Sequence, residues 1–271
     1  MTALLGIDAA WTYEKPSGVS LLTRDEGGEW RCAALAPSYS AFLDLAAGTP
    51  VDWESRPTGG SVEVRKLLSA ARALGADSVE VVAIDLPLSL LPITGRRPAD
   101  RAVSRAFSAR GAPAYTPSAE RPGSLSDSLR ADFAAHNYPL ATKTFPARSQ
   151  PTGRTSPALI EVYPHASGAN YRLPYKVEKR WTYWPDIDSD ERIRLLLAEF
   201  TFILECLGQH LHGIEIELPV AAQVPTFEAL KRYEDAIDSI VCAWSALCYW
   251  RGEADAYGDV TGAIWVPRTV A

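Results

Sequence analysis

Leu4-Leu5-Gly6-Ile7-Asp8-Ala9-Ala10 is a short apolar run, long enough for one buried strand, that ends in a carboxylate followed by small residues. A charge at the tip of a central strand sits on a rim and costs little, whereas in mid-strand it is expensive to bury. The setting recurs. Val79-Glu80-Val81-Val82-Ala83-Ile84-Asp85 is a second strand ending in an acid, and Pro87 stops its ladder. Leu159-Ile160-Glu161-Val162-Tyr163-Pro164-His165 embeds Glu161 among apolar neighbours and is again stopped by a proline. The chain reads as a device for bringing these acids to Asp8.

A fourth acidic setting lies on a helix. The stretch from Thr226 to about Arg251 places Phe227, Leu230, Ile237, Ile240, Val241, Trp244 and Leu247 on one apolar face, and Gly252 closes it. Asp235 and Asp238 are three residues apart near its middle, so both carboxylates lie on one side. The neighbours of Asp238 are Ala236, Ile237, Ser239, Ile240, Val241 and Cys242, which predicts a buried or half-buried carboxylate. Like charges this close raise each other's pKa unless a cation sits between them.

The remaining elements frame these four. Gly18–Leu22 and Trp30–Leu35 read as strands joined by the Asp25-Glu26-Gly27-Gly28 turn, so the fold opens with a three-strand antiparallel meander. Ser38 is placed to cap a helix reaching about Ala47. A helical repeat of apolar residues then runs over 61–75 and crosses into the strand ending at Asp85, which predicts that this strand is parallel to the first. Residues 92–155 break the pattern with eight prolines and two expected helices, near 99–110 and 124–136. They carry ten basic residues against four acidic ones, a net +6 that leaves −12 for the rest of the chain. A basic insertion directly after a carboxylate strand suits an anionic substrate, and a solvated surface subdomain is the competing reading. Residues 171–188 are aromatic and irregular. A helix follows from a Ser189 cap to Leu207, and the final strand is expected at Ala263–Pro267. His210 and His212, at a polar helix exit, are read as surface residues rather than a metal site.

With 271 residues and 47% apolar content the chain buries a real core. The net charge of −6 argues against a generally basic nucleic-acid binder, though a local basic groove is compatible with it. Cys32, Cys206, Cys242 and Cys248 form no CxxC pair and read as reduced core thiols of a cytoplasmic protein. No signal peptide is expected, and the longest apolar windows are too short and too charged to span a membrane.

Asp8, Asp85, Glu161 and the Asp235/Asp238 pair form the candidate constellation. Oxygen ligands without a His/Cys set suit a hard cation, Mg²⁺ or Mn²⁺. Two such ions held by shared carboxylates activate a water and stabilise the leaving oxygen of a phosphodiester. Several buried carboxylates without an ion are costly, so the ion also stabilises the fold.

Gly6-Ile7-Asp8, Ala83-Ile84-Asp85-Leu86-Pro87, Arg97-x-x-Asp100-Arg101, Ile160-Glu161-Val162-Tyr163-Pro164-His165, Asp235-Ala236-Ile237-Asp238-Ser239 and the Ile264-Trp265-Val266-Pro267 end resemble, in that order, the DUF429 family. That family is a group of uncharacterised proteins regarded as predicted nucleases with a ribonuclease H-like fold. The resemblance implies an α/β domain with a mixed five-strand central sheet flanked by helices, and with the insertion read from the residues at about 92–155 the chain is expected to be a single domain over 1–271. It implies acids on the first strand, the fourth strand and the last helix, which Asp8, Asp85 and Asp235/Asp238 match. The DxxD pair is also similar to that of the Holliday-junction resolvase branch. The first-helix glutamate usual in this fold has no clear counterpart, Glu63 being the nearest.

The leading expectation is a metal-dependent phosphodiester hydrolase, a nuclease acting on DNA or RNA. Asp8, Asp85, Asp235 and Asp238 would hold the metal, and Glu161 would be a ligand or orient water. Arg96, Arg97, Arg101 and Lys143 would contact phosphates, and His165 would be a proton shuttle or a packed histidine. A nucleotide-binding ATPase or kinase of the same fold is the alternative, but Ala9-Ala10-Trp11-Thr12 after the first strand lacks the glycine-rich phosphate loop it needs. A non-catalytic binding or scaffold protein is the third reading.

Overall fold

The computed structural model describes residues 1–61, 63–144, 157–169 and 186–268. Seven strands form one mixed sheet. The strands β1 (Thr2–Asp8), β2 (Gly18–Arg24) and β3 (Trp30–Ala36) make the expected antiparallel meander, with Asp8 opposite Gly18. The strand β4 (Ser78–Ile84) lies parallel to β1, with Ile7 beside Ile84, and β5 (Ala158–Val162) parallel to β4, with Ile84 beside Glu161. The strand β7 (Ala263–Pro267) is parallel to β5, and β6 (Ala254–Gly258) caps that edge antiparallel to β7. The order across the sheet is β3-β2-β1-β4-β5-β7-β6.

The expected sheet of five strands is therefore too small by two. The first five match the expected series of antiparallel and parallel neighbours, and β7 and β6 extend it beyond β5. The Ala254-Asp255-Ala256-Tyr257-Gly258 strand escapes a propensity reading because Ala, Asp and Gly are poor strand formers. Its pairing with β7 across the Asp259–Gly262 turn holds it in place.

The helices are α1 (Tyr39–Ala46), α2 (Val64–Ala73), α3 (Pro98–Phe107), α4 (Ser124–Ala135), α5 (Pro164–Ala169), α6 (Ser189–Gly208) and α7 (Phe227–Arg251). Ser38 caps α1 by accepting from the Ala41 N–H at 3.1 Å. The cap of α6 is Asp188, one residue before the expected Ser189, and its carboxylate accepts from the Glu191 N–H at 2.8 Å. An acid there complements the helix dipole better than a hydroxyl. Residues 92–144 contribute α3 and α4, of which α3 packs on β6 and β7, and α4 on α2 and β5. Arg148 and Arg154, the rest of the expected insertion and most of the aromatic 171–188 stretch lie outside the described residues.

Strand alternation divides the core into two faces. Leu4, Leu22, Val81, Ala83, Ile160 and Val162 face α7 and α6. Leu5, Ile7, Leu21, Val82, Ile84 and Leu159 face α1, α2 and α4. A third cluster joins α3 to α5 and β7 through Val103, Phe107, Ala166 and Ile264. All four cysteines are free. Among the described residues no helix is long and apolar enough to cross a membrane.

The helix α7 packs closely onto β1 and β2. A Cβ on Gly6 would stand 2.2 Å from the Ser239 carbonyl oxygen, and one on Gly18 would stand 2.0 Å from that of Asp235. Ser20, between them on the same face, donates its hydroxyl to the Ser239 carbonyl at 2.7 Å. Glycine is required at both strand positions because the helix backbone fills the space of a side chain.

Candidate functional site

Asp8 is the last residue of β1 and shares the α7 face with Leu4 and Gly6. Asp85 follows β4 directly, and its N–H donates to the Ile7 carbonyl at 2.9 Å, which sets it beside Asp8. Gly18 is the register partner of Asp8 and also the residue on which the Asp235 main chain rests. One glycine thus brings a helix carboxylate over a strand-tip carboxylate. Asp238 lies one turn further along α7 and is 1% exposed, against 2% for Asp235.

The charges there are in conflict. Burial raises Asp8 well above the usual carboxylate range, Asp235, Asp238 and Asp85 raise it further, and Lys231 pulls it back. Burial likewise raises Asp235, which Lys231 opposes. The side chains of Asp8 and Asp235 are in hydrogen-bond contact. Two carboxylates make such a contact when a proton is shared or a cation neutralises them. The Asp235 Oδ2 is buried and accepts no hydrogen bond among the described residues, while the Lys231 ammonium, one helical turn earlier, binds its Oδ1. The Cys242 thiol, one turn past Asp238, is pushed well up by burial and then by Asp85, Asp8 and Asp238. It reports the same excess of negative charge from below.

These acids suit a hard cation by donor type and by the unsatisfied buried oxygen on Asp235. In the geometry as it stands, no three His, Cys, Asp or Glu side chains among the described residues are spaced as a metal cage.

Glu161 lies elsewhere. Its register partners are Ile84 and Ile264, whose side chains leave the sheet on the side away from α7. There it meets Arg97, with Nη2 to Oε1 at 2.6 Å and Nη1 to Oε2 at 2.7 Å. Arg97 also holds Asp100, with Nη2 to Oδ1 at 2.6 Å and Nε to Oδ2 at 3.2 Å. The main chain of one residue completes the knot: the Leu88 N–H donates to Glu161 at 2.8 Å, and the Leu88 carbonyl accepts from Arg97 at 2.7 Å. Burial pushes Glu161 up to about 7, with Arg97 pulling the other way. Burial also works against the guanidinium's charge, but Glu161 and then Asp100 hold its pKa above the ordinary arginine range. Expected as a water-orienting acid and a phosphate contact, Glu161 and Arg97 spend their hydrogen bonds on each other and on the loop that follows Asp85.

Both groups open onto one cleft of about 690 Å³ at the carboxyl ends of β1, β4 and β5. Asp8, Asp85, Glu161, Asp235 and Lys231 line it. Asp238 does not reach the lining and sits beneath it. Among the described residues, Arg96, Arg101, Lys143 and His165 do not line it either. Arg96 is spent on Thr116 at 3.1 Å and Ser104 at 2.5 Å, and Arg101 on the Arg96 carbonyl at 2.9 Å. The Lys143 N–H donates to the Asp259 carbonyl at 3.1 Å. His165 is buried on α5 with its ring 5.5 Å from that of Tyr163. The cations that do line the cleft include Lys15, Arg56, Arg121 and Arg232, together with Trp11. Lys231, which the sequence reading did not single out, is the lining cation whose spacing could have found it, four residues before Asp235 on the same helix.

A mixed sheet with acids gathered at the carboxyl ends of its central strands defines an α/β protein with a polar cleft at a strand-tip crevice. The chain belongs to the DUF429 family, described as proteins of unknown function, whose profile matches residues 6–261. No curated protein matches the sequence. Among solved structures, the chain is similar to the yeast mitochondrial Holliday junction resolvase at 12% identity, over 92% of this chain and 78% of that one, with a TM-score of 0.30. At that TM-score, fold and function both rest on the geometry of the chain itself.

Proposed function

We propose that the protein is a metal-dependent phosphodiester hydrolase, a nuclease on a ribonuclease H-like fold that spans the chain as one domain. The carrying observation is the convergence of Asp8 from β1, Asp85 after β4 and Asp235 from α7 on one cleft, where burial and then the charges of Asp235, Asp238 and Asp85 hold the Asp8 carboxyl well above its usual range. Asp8, Asp85 and Asp235 would hold Mg²⁺ or Mn²⁺, with Asp238 beneath them adding negative charge. When bound, such ions activate a water and neutralise the charge that develops on the phosphate oxygens. The protein's own contribution is to fix the acids on rigid elements. Arg121, which lines the cleft, would hold the phosphate backbone of a DNA or RNA substrate, while Arg232 is engaged by the Trp53 and Ser55 carbonyls.

The test is calorimetry with Mn²⁺ on wild type and Asp8→Asn at neutral pH, followed by cleavage of single-stranded, duplex and branched DNA and RNA. Binding of one or two ions by wild type, lost in Asp8→Asn together with metal-dependent cleavage, supports the reading. An Asp8→Asn variant that cleaves as fast as wild type removes it.

A further inference from the structure

Lys231 stands inside the proposed metal centre. Its ammonium binds Asp235 and lies 3.7 Å from the Glu234 Oε1, on the same turn of α7. The two carboxylates are buried while the lysine side chain is 46% exposed at the cleft. A positive charge thus reaches from the solvent side onto a carboxylate that itself touches Asp8. It is also the only countercharge among the leading influences on Asp8, the others being burial and three acids.

We infer that Lys231 is an exchangeable counter-ion: its ammonium neutralises Asp235 in the metal-free protein and leaves that carboxylate when a divalent cation binds. This rests on the proposed metal site and adds how the chain tolerates that site when empty. The physical reason is local. An ammonium on a long flexible stem gives one charge and one or two hydrogen bonds, and it leaves at the cost of rotating an exposed chain. A divalent ion puts twice the charge against several acids at once. A divalent ion on the open Oδ2 would face the ammonium on Oδ1 across one carboxylate, and the repulsion of the two cations makes the lysine oppose the metal and set its affinity. Once released, the ammonium stays at the mouth of the cleft.

The competition is read in the full chain by calorimetry with Mn²⁺ on wild type, Lys231→Met and Lys231→Arg. Lys231→Met removes the competitor and should bind Mn²⁺ about tenfold more tightly or better. Its metal-free Tm should fall, and the Tm gain on adding Mn²⁺ should exceed that of wild type. Lys231→Arg keeps the charge and should bind no more tightly than wild type. Binding by wild type with equal or weaker binding by Lys231→Met overturns the inference and leaves the metal site standing. Binding by none of the three overturns both.

A second measurement needs no variant and holds even if Lys231→Met does not fold. Wild type is acetylated with an N-hydroxysuccinimide ester with and without Mg²⁺, and each lysine is followed by peptide mass. Lys231 should react several-fold faster with Mg²⁺, while Lys66, paired with Glu63 at 2.6 Å on α2, should not change. Unchanged or slower labelling of Lys231 overturns the release.

Discussion

Gly18 and Asp235 touch through their main chains: a Cβ on Gly18 would stand 2.0 Å from the Asp235 carbonyl oxygen. Because Gly18 is also the register partner of Asp8, this contact sets the distance between the helix acid and the strand acid. Gly18→Ala should push α7 off β2 near Asp235. Overpacking of this kind costs about 1–3 kcal/mol. The denaturant midpoint should fall accordingly, and Mn²⁺ affinity should fall with it, since Asp235 moves relative to Asp8. A Gly18→Ala protein with unchanged midpoint and affinity would show that the contact does not position the acid.

The metal-free protein should be less stable at neutral than at mildly acidic pH. Asp8 has a folded pKa raised above the ordinary carboxylate value. The folded state then holds its proton where the unfolded chain has lost it, so stability declines as pH rises from the ordinary carboxylate range through the raised folded value. Asp8→Asn removes the titrating group, so its metal-free Tm at pH 7.5 should exceed that of wild type. A domain of this size class gains about 2–4 °C in Tm per kcal/mol. Mg²⁺ should raise the Tm of wild type and leave that of Asp8→Asn nearly unchanged. Thermal melts from pH 5.5 to 8, with EDTA or with Mg²⁺, check all three statements.

Glu161 is expected to act on the fold and only indirectly on the metal. Glu161→Ala strands the buried Arg97 and the Leu88 N–H, a loss of about 3–5 kcal/mol for one partner of a buried ion pair. Glu161→Gln keeps the shape and accepts from one donor, so its loss should be smaller. Mn²⁺ affinity of Glu161→Gln should stay within about twofold of wild type, because the side chain leaves the sheet on the face away from Asp235. A loss as large as that of Asp8→Asn would place Glu161 among the ligands.

Arg121 should matter to substrate and not to the ion. Arg121→Ala should weaken binding of an oligonucleotide, measured with Ca²⁺ in place of Mg²⁺, and reduce the salt slope of log affinity by about 1. Its Mn²⁺ affinity should match wild type. Arg101→Ala, away from the cleft lining, should leave oligonucleotide binding unchanged.

Much of this was legible in the chain. Apolar runs ending at Asp8 and Asp85, the meander turn at Asp25–Gly28, the cap at Ser38, the helix starting at Thr226 and the C′ glycine at Gly252 are local patterns, and local energetics suffice to place them. The burial of Asp238 followed from its apolar neighbours, whereas that of Asp235 did not, because a helix residue beside a charged Lys231 and Glu234 reads equally well as solvent-facing. The assignment of Glu161 to the opposite face did not follow, because a strand's inward side depends on its pairing register, and a shift of one residue reverses every side chain. The edge strand β6 was hidden because its residues favour no strand and only pairing with β7 holds it. Lys231, Arg121 and Trp11 reach the cleft through elements far apart in sequence, as does the Gly18 contact that brings α7 down to Asp8. The local free energy of each segment therefore selected the elements and the acids they carry, while contacts between distant segments chose which acids meet, what neutralises them and which face each one serves.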